Sequence, residues 1–293
     1  MSTKVIIFGI DGIDCSNAWP KNKKYAAKIP TINRLRRKGL YSKAKIDARN
    51  WSAPNWKGLL TGYPSSTHGV HENMCDKQWR KDTFFKVLKK HDKKLYLGVV
   101  YDWKKFGCQI ERNVLDFRIK TKSISETVKK SLKIVNKNIP DCMFVYFKDV
   151  DEAGHLYGAG SKEDINSLEE VDKAILNITD AIEKKQQKTK DKIYYIVISD
   201  HGHRIRSPFG HSTNKYRVPF IVCGPDIKQA EIRTGVRNLQ LANVVCHLLY
   251  PSPPIFYKGS PFSKLLNPFT SVSKRKSAKR KSPKRKSSKR KSV

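Results

Sequence analysis

Apolar and β-branched residues fall in short, nearly continuous runs at Val5–Ile10, Leu95–Val100, Met143–Phe147, Ile193–Ile198 and Phe220–Cys223. Runs of that length without polar alternation suit strands buried on both faces of a parallel sheet. Between them, helical patterns cover Thr31–Lys38, Thr83–His91, Ser125–Asn138, Lys162–Lys185 and Leu239–Leu249. Ser123 and Glu126 open the third of these with a Ser-x-x-Glu capping box. Strands interleaved with helices predict an α/β fold, a mostly parallel central sheet with helices on both faces. Ligands in such folds collect at the carboxyl ends of the strands.

The pattern stops near Phe269, so we place one domain over residues 1–270 and a tail over 271–293. In the tail, Lys274-Arg275-Lys276-Ser277 recurs at Lys279–Ser282, Lys284–Ser287 and Lys289–Ser292. Dense like charge without an apolar face predicts disorder. It suits nonspecific nucleic-acid binding through residues 274–293 or a nuclear-import signal, and equally a solubilising tail without a partner. The whole chain carries 60 Lys+Arg against 26 Asp+Glu, a net charge of +34. The tail holds 12 of those basic residues and no acid, so the body alone remains at 48 − 26 = +22. That excess favours polyanionic partners or substrates without deciding the fold.

The six cysteines (15, 75, 108, 142, 223 and 246) are widely spaced and form no Cys-x-x-Cys. They read as reduced cysteines, not as a disulfide frame or a thiolate zinc site. No signal peptide or membrane-length apolar stretch is present, and the expectation is a soluble, intracellular protein, not secreted, with nuclear entry through the tail an option. The sequence carries no indication of oligomeric state.

Metal-ligand residue types stand just past the predicted strands. Asp11-Gly12 follows the first, Asp149, Asp151 and His155 follow the third, Asp200-His201-Gly202-His203 the fourth, and Gly210-His211 comes ten residues later. Aspartate oxygen mixed with imidazole nitrogen suits zinc or manganese better than calcium. Singly, each would pass for a helix cap or a surface histidine; their shared placement argues for a metal site. Ser52, in Asn50-Trp51-Ser52-Ala53-Pro54-Asn55, opens a short helical run to Thr61-Gly62. A helix start favours a bound anion, although an ordinary N-cap would read the same way. No Ser-x-x-Lys or Gly-x-Ser-x-Gly context supplies this serine with a base, which leaves a metal to activate it.

These residues resemble the alkaline phosphatase superfamily, most closely its nucleotide pyrophosphatase/phosphodiesterase branch. The resemblance runs from about Val5 to Phe269. It rests on Asp11-Gly12, on Pro30–Leu35, and on a nucleophile motif matched at Ser52, Pro54, Asn55, Thr61-Gly62, Pro64, His68-Gly69 and Asn73. It continues through Asp151-x-x-Gly154-His155, Ser199-Asp200-His201-Gly202, Gly210-His211, Val218–Pro225 and the helix at 238–249. It implies two divalent ions, Zn2+ or Mn2+, one held by Asp151, His155 and His211, the other by Asp11, Asp200, His201 and the Ser52 oxygen. It implies a phosphoseryl intermediate on Ser52, with Asn73 and a nearby backbone amide donating to a phosphate oxygen. Trp103 is a candidate to stack a base or other leaving group, and equally a core tryptophan. Asp149 and His203 have no counterpart in the family pattern and suit supporting or loop-capping duties. His68 and His71 suit support of the Asn73 turn.

Sulfatases share this layout, but Trp56 stands where their arginine belongs, so conversion of Ser52 to an aldehyde is not expected. The resemblance implies hydrolysis of a phosphodiester or a nucleotide pyrophosphate. The alternatives are a phosphomonoesterase on the same site and a basic nucleic-acid-binding protein on an inactive hydrolase fold. Asn55, Trp56 and Asn73 are neutral, with Lys57 the one cation of the helical run that Ser52 opens, and this favours a diester over a monoester. Arg204 and Arg206 are the groups that could reverse that preference.

Overall fold

Strand β1 (Thr3–Ile10) sends Val5 and Ile7 into one apolar layer and Ile6, Phe8 and Ile10 into the other. A strand with two buried faces belongs at the middle of a sheet, and β1 lies there. The structure, a computed structural model, describes residues 2–20, 26–47, 51–75, 80–203, 217–233 and 235–250. Among them the further strands are β2 (Gly39–Lys45), β3 (Leu97–Tyr101), β4 (Phe117–Lys120), β5 (Cys142–Phe147), β6 (Lys192–Ile198), β7 (Arg217–Cys223) and β8 (Ala230–Ile232). They form one sheet in the order β4-β3-β5-β1-β6-β7-β2-β8. Only β7 runs against the rest, pairing antiparallel with both β6 and β2. The fold is therefore the mostly parallel α/β arrangement expected from the sequence.

The helices are α1 (Cys15–Ala18), α2 (Pro30–Arg37), α3 (Ser52–Thr61), α4 (Ser65–His68), α5 (Phe84–His91), α6 (Lys104–Cys108), α7 (Ile124–Lys137), α8 (Asp149–Tyr157), α9 (Lys162–Thr189) and α10 (Leu241–Leu249). Trp56, Leu59 and Leu60 of α3, Phe84, Phe85 and Leu88 of α5, and Leu241, Val244 and Val245 of α10 close one face of the sheet. Ile32 and Leu35 of α2, Val135 of α7, and Val171, Ile175, Ile178 and Ile182 of α9 close the other. The capping box forms in half. Ser123 Oγ accepts from the Glu126 amide at 3.3 Å, but the Glu126 carboxylate takes the Lys122 amide instead of that of Ser123.

The short helices α1, α4 and α6 escaped the hydrophobic pattern, being too short to show a period, and β2, β4, β8 and α8 escaped it for other physical reasons. In β2 and β4, apolar residues are interrupted by lysine or arginine, and β8 is a three-residue edge strand. Helix α8 has too few apolar residues to show a helical period.

The cysteines require a correction. Cys75 and Cys108 form a disulfide across 33 residues, while Cys15, Cys142, Cys223 and Cys246 are free and buried. Spacing alone could not reveal that the loop after Asn73 lies against the end of α6. A disulfide removes the ground on which cysteine usage argued for a reducing compartment. No helix among the described residues is long and apolar enough to cross a membrane. The 271–293 tail lies outside the described residues.

Candidate metal centre

Because β1 pairs in parallel with β5 on one side and β6 on the other, the carboxyl ends of all three open at one place. Asp11 follows β1, and its amide donates to Phe147 O at 2.9 Å. Asp151 and His155 sit one turn apart on α8, which follows β5; Asp200 and His201 follow β6. The close approach needs Gly12, whose φ is +76° and whose absent Cβ would lie 2.8 Å from Asp151 Cα. Here glycine supplies both the left-handed backbone and the room. The Asp200 end is tied down by Asn238, which donates to Asp200 O at 3.2 Å.

Ser52 is the first residue of α3, after an extended Trp51. It is 3 % exposed, and its Oγ lies 3.0 Å from His201 Nε2. The same Nε2 lies 3.3 Å from Asp11 Oδ1, 3.3 Å from Asp200 Oδ2 and 3.7 Å from Asp151 Oδ1. Asp11 Oδ2 accepts from Trp56 Nε1 at 3.0 Å and from the Tyr146 hydroxyl. Trp56 thus occupies the sulfatase arginine position as a buried support for Asp11.

Three carboxylates share this small volume, and the electrostatics register the crowding. Burial first, then the charge of Asp151, pushes the Asp11 carboxyl up to about 7, despite its hydrogen bonds from Tyr146 and Trp56. Burial, reinforced by Asp11 and Asp151, pushes Asp200 well above the usual carboxylate range. Burial also works against the Asp151 charge, but hydrogen bonds with His155 and His203 and the nearby imidazoles hold its carboxyl well below that range. Buried Asp11 Oδ1 and Asp200 Oδ2 accept no hydrogen bond. Buried oxygens in that state are costly unless a cation meets them.

Two groups of donors converge closely enough to hold an ion: Asp11, Asp151 and His201 form one, and Asp151, His155 and His203 the other, each with its ligand atoms within 4.8 Å of one another. Oxygen and imidazole donors in these numbers fit a divalent transition ion. Of the residues the sequence singled out, Asp11, Ser52, Asp151, His155, Asp200 and His201 come together. His211, Arg204 and Arg206 lie outside the described residues. His203, expected only to support or cap, also reaches this group, beside Asp151 and His155. Its signal in the sequence was the second histidine of Asp200-His201-Gly202-His203.

A cavity of about 220 Å³ opens over the centre, lined by Asp11, Ser52, Asn73, Trp103, Lys105, Tyr146, Lys148, Asp151, Glu152 and His155. Asn73 Oδ1 accepts the Ala53 amide at 2.8 Å, so the donor end of its side chain is the part left for the cavity. The amide nearest Ser52 is consequently occupied by Asn73, against the expectation that it would serve a phosphate oxygen. Trp103 lies parallel to Tyr146, centroids 6.4 Å apart, packs against the core, and borders the cavity.

The cations also differ from the sequence reading. Lys57 is fully buried and donates to Gln109 O at 3.1 Å, away from the cavity, while Lys105 and Lys148 line it. Lys148 is paired with Glu152. His68 supports the turn, as expected, accepting the Val70 amide on Nδ1 at 3.1 Å. Burial, with Lys57 nearby, lowers its pKa to about 3 and keeps it neutral.

Mouse ectonucleotide pyrophosphatase/phosphodiesterase family member 3 is 24 % identical over 223 residues, 68 % of this chain and 24 % of its own length. The Bos taurus protein of the same name is 24 % identical over 220 residues, with the same coverage. The chain thus spans about a quarter of the length of these relatives. Murine ectonucleotide pyrophosphatase/phosphodiesterase 5, solved as an inactive variant in complex with AMP, superposes with a TM-score of 0.68 at 13 % identity. That alignment covers 89 % of this chain and 99 % of the solved one. A second structure of the same murine protein gives 0.65. A family model, the metalloenzyme superfamily, matches residues 101–250, about half of the sequence. The chain belongs to this alkaline phosphatase-like metalloenzyme superfamily, and within it is similar in sequence and fold to the nucleotide pyrophosphatase/phosphodiesterases.

Proposed function

We propose that the chain is a divalent-ion-dependent hydrolase that cleaves phosphodiester or pyrophosphate bonds through a phosphoseryl intermediate on Ser52. The observation that carries this reading is the position of Ser52 Oγ: at a helix start, 3.0 Å from His201 Nε2, in one cavity with Asp11, Asp151 and Asn73. Two ions held by the Asp and His groups, zinc or manganese, would lower the hydroxyl pKa and draw charge from the phosphoryl oxygens. Asp11 and Asp200 would hold one ion with His201; Asp151 and His155 would hold the other, with His211 the family counterpart for its third ligand.

The remaining steps belong to the chain itself. The Ser52 proton passes to solvent as its Oγ bonds to phosphorus, and the ester or anhydride P–O bond breaks with the leaving oxygen taking up a proton. Water then adds to phosphorus and the Oγ–P bond breaks, releasing the phosphate monoester, while a proton from that water restores the hydroxyl. The Asn73 amine donates to a non-bridging oxygen where charge accumulates. Trp103 offers an apolar face to the organic substituent. Lys148 is offset by Glu152, which among the described residues leaves Lys105 as the cation of the cavity lining without a carboxylate partner. One positive charge beside a neutral amide suits the single charge of a diester better than the dianion of a monoester.

The test is a screen of purified protein, with added zinc or manganese, on nitrophenyl nucleotide diesters, nitrophenyl phosphate and sulfate esters. The diester should exceed the monoester at least about tenfold in kcat/KM, about 1.4 kcal/mol in transition-state stabilisation. A preference for the monoester would make the protein a phosphatase. No turnover of any ester would favour a nucleic-acid-binding role for an inactive fold.

A further inference from the structure

The family pattern provides two histidines around Asp151, His155 and His211; this chain adds a third, His203. Its side chain is 1 % exposed, and its Nε2 lies 2.6 Å from Asp151 Oδ1. Its ring meets that of His155 edge-on, centroids 4.8 Å apart. Asp151, His155 and His203 converge on a single ion-sized volume. The seat for the ring is built by Gly154, since a Cβ there would come within 2.8 Å of His203 Cδ2 and 2.9 Å of Cγ. A residue of the Asp-x-x-Gly-His motif thus makes room for a side chain outside that motif.

A second buried carboxylate acts on His203. Asp164, in the first turn of α9, is 4 % exposed and interacts with His203 electrostatically. One oxygen of Asp164 accepts the Gly160 amide at 2.7 Å, while the other, also buried, accepts no hydrogen bond from the described residues. Metal-bound histidines usually have a carboxylate or carbonyl on the ring nitrogen facing away from the ion. Asp164 is the buried carboxylate available for that role at His203.

We propose that His203 is a protein ligand of the ion at Asp151 and His155, with Asp164 as its positioning residue. This rests on the ion-dependent reading above and adds a donor to it. With it, the Asp151 ion has three donors, one carboxylate and two imidazoles, within the described residues. His203 need not be a ligand in the absence of the ion; its present hydrogen bond to Asp151 is the contact an incoming cation would replace.

The test is a titration of the metal-stripped full-length protein with Zn2+ and with Co2+, following affinity by chelator competition and the Co2+ visible spectrum. His203→Gln preserves the bulk and a hydrogen-bond donor for Asp151 but is a poor ligand. It should weaken one of two ions on the order of 10- to 100-fold and reduce the imidazole signature of the Co2+ spectrum. Asp164→Asn should retain two ions and weaken the same one by a smaller factor. Thermal unfolding in chelator, where no ion contributes, should match wild type for both variants and so exclude misfolding.

Wild-type affinities and spectrum in His203→Gln would overturn the proposal, as would a loss confined to His211→Ala. Neither outcome touches the hydrolase reading, which depends on turnover. Wild-type protein that binds two ions, loses one in His203→Gln and hydrolyses nothing would uphold the ligand and contradict the hydrolase.

Discussion

Ser52 is surrounded by groups that give its hydroxyl no ordinary base. His201 Nε2 is 3.0 Å away, but that nitrogen also lies 3.3 Å from Asp11 Oδ1 and from Asp200 Oδ2, the place a cation would take. Ser52→Ala should therefore leave the fold and ion binding largely intact while reducing turnover by at least about 10³-fold, roughly 4 kcal/mol. Ser52→Thr should retain substantial activity, because it keeps a hydroxyl at the same helix start. Steady-state kinetics beside a metal titration separate these effects, and normal turnover by Ser52→Ala would make water the direct nucleophile. At this scale the sequence was most legible where a motif residue follows a strand. Asp11, Asp151 and Asp200 could be named because the strand preceding each could be recognised. Lys105 and Lys148 could not, since their place in the cavity depends on how α6 and α8 approach α3. Lys57 was misread because adjacency on a helix does not tell which way a side chain leaves it.

Helix α3 joins the centre to a buried cation. Burial lowers the Lys57 pKa from 10.5 to about 7, although Glu111 and Asp82 favour its charge. The unfolded chain therefore binds more protons than the folded one between about pH 7 and 10.5, so this group makes stability rise with pH through that window. The slope is up to roughly 1.4 kcal/mol per pH unit. Urea unfolding of wild type and Lys57→Met from pH 7 to 10 should show the rise in wild type and its loss in the variant; parallel profiles would contradict the burial argument.

The disulfide links the Asn73 loop to α6, which begins beside Trp103. Gln109 reinforces that contact by donating to Met74 O at 3.0 Å. Closing a loop of 33 residues should contribute about 3–4 kcal/mol by restricting the unfolded chain. The paired Cys75→Ser, Cys108→Ser variant should show a lower urea midpoint than the oxidised protein, and equal midpoints would mean the bridge does not form in solution. The long buried strands and helices could be read from apolar period alone. Helix α8 could not, because its residues are chosen for ligands and for the Gly154 seat rather than for an apolar face.

For the whole molecule, charge and chemistry are expected to separate. The tail carries 12 basic residues and the body +22, so either could attract a polyanion. If roughly half of the tail cations contact phosphates, deleting 274–293 should reduce the log–log salt slope of DNA binding by about 5. Turnover of a small diester should be unchanged by the same deletion. Equal slopes with and without the tail would move the nucleic-acid contact to the body. The central claim is that the Asp and His side chains gathered at the ends of β1, β5 and β6 hold ions on which hydrolysis depends. Its most direct test is the rate on a nitrophenyl nucleotide diester before chelation, after it, and after measured additions of zinc or manganese. Activity should vanish on stripping and return as the content approaches two ions per chain; full activity in the metal-free protein would contradict the account.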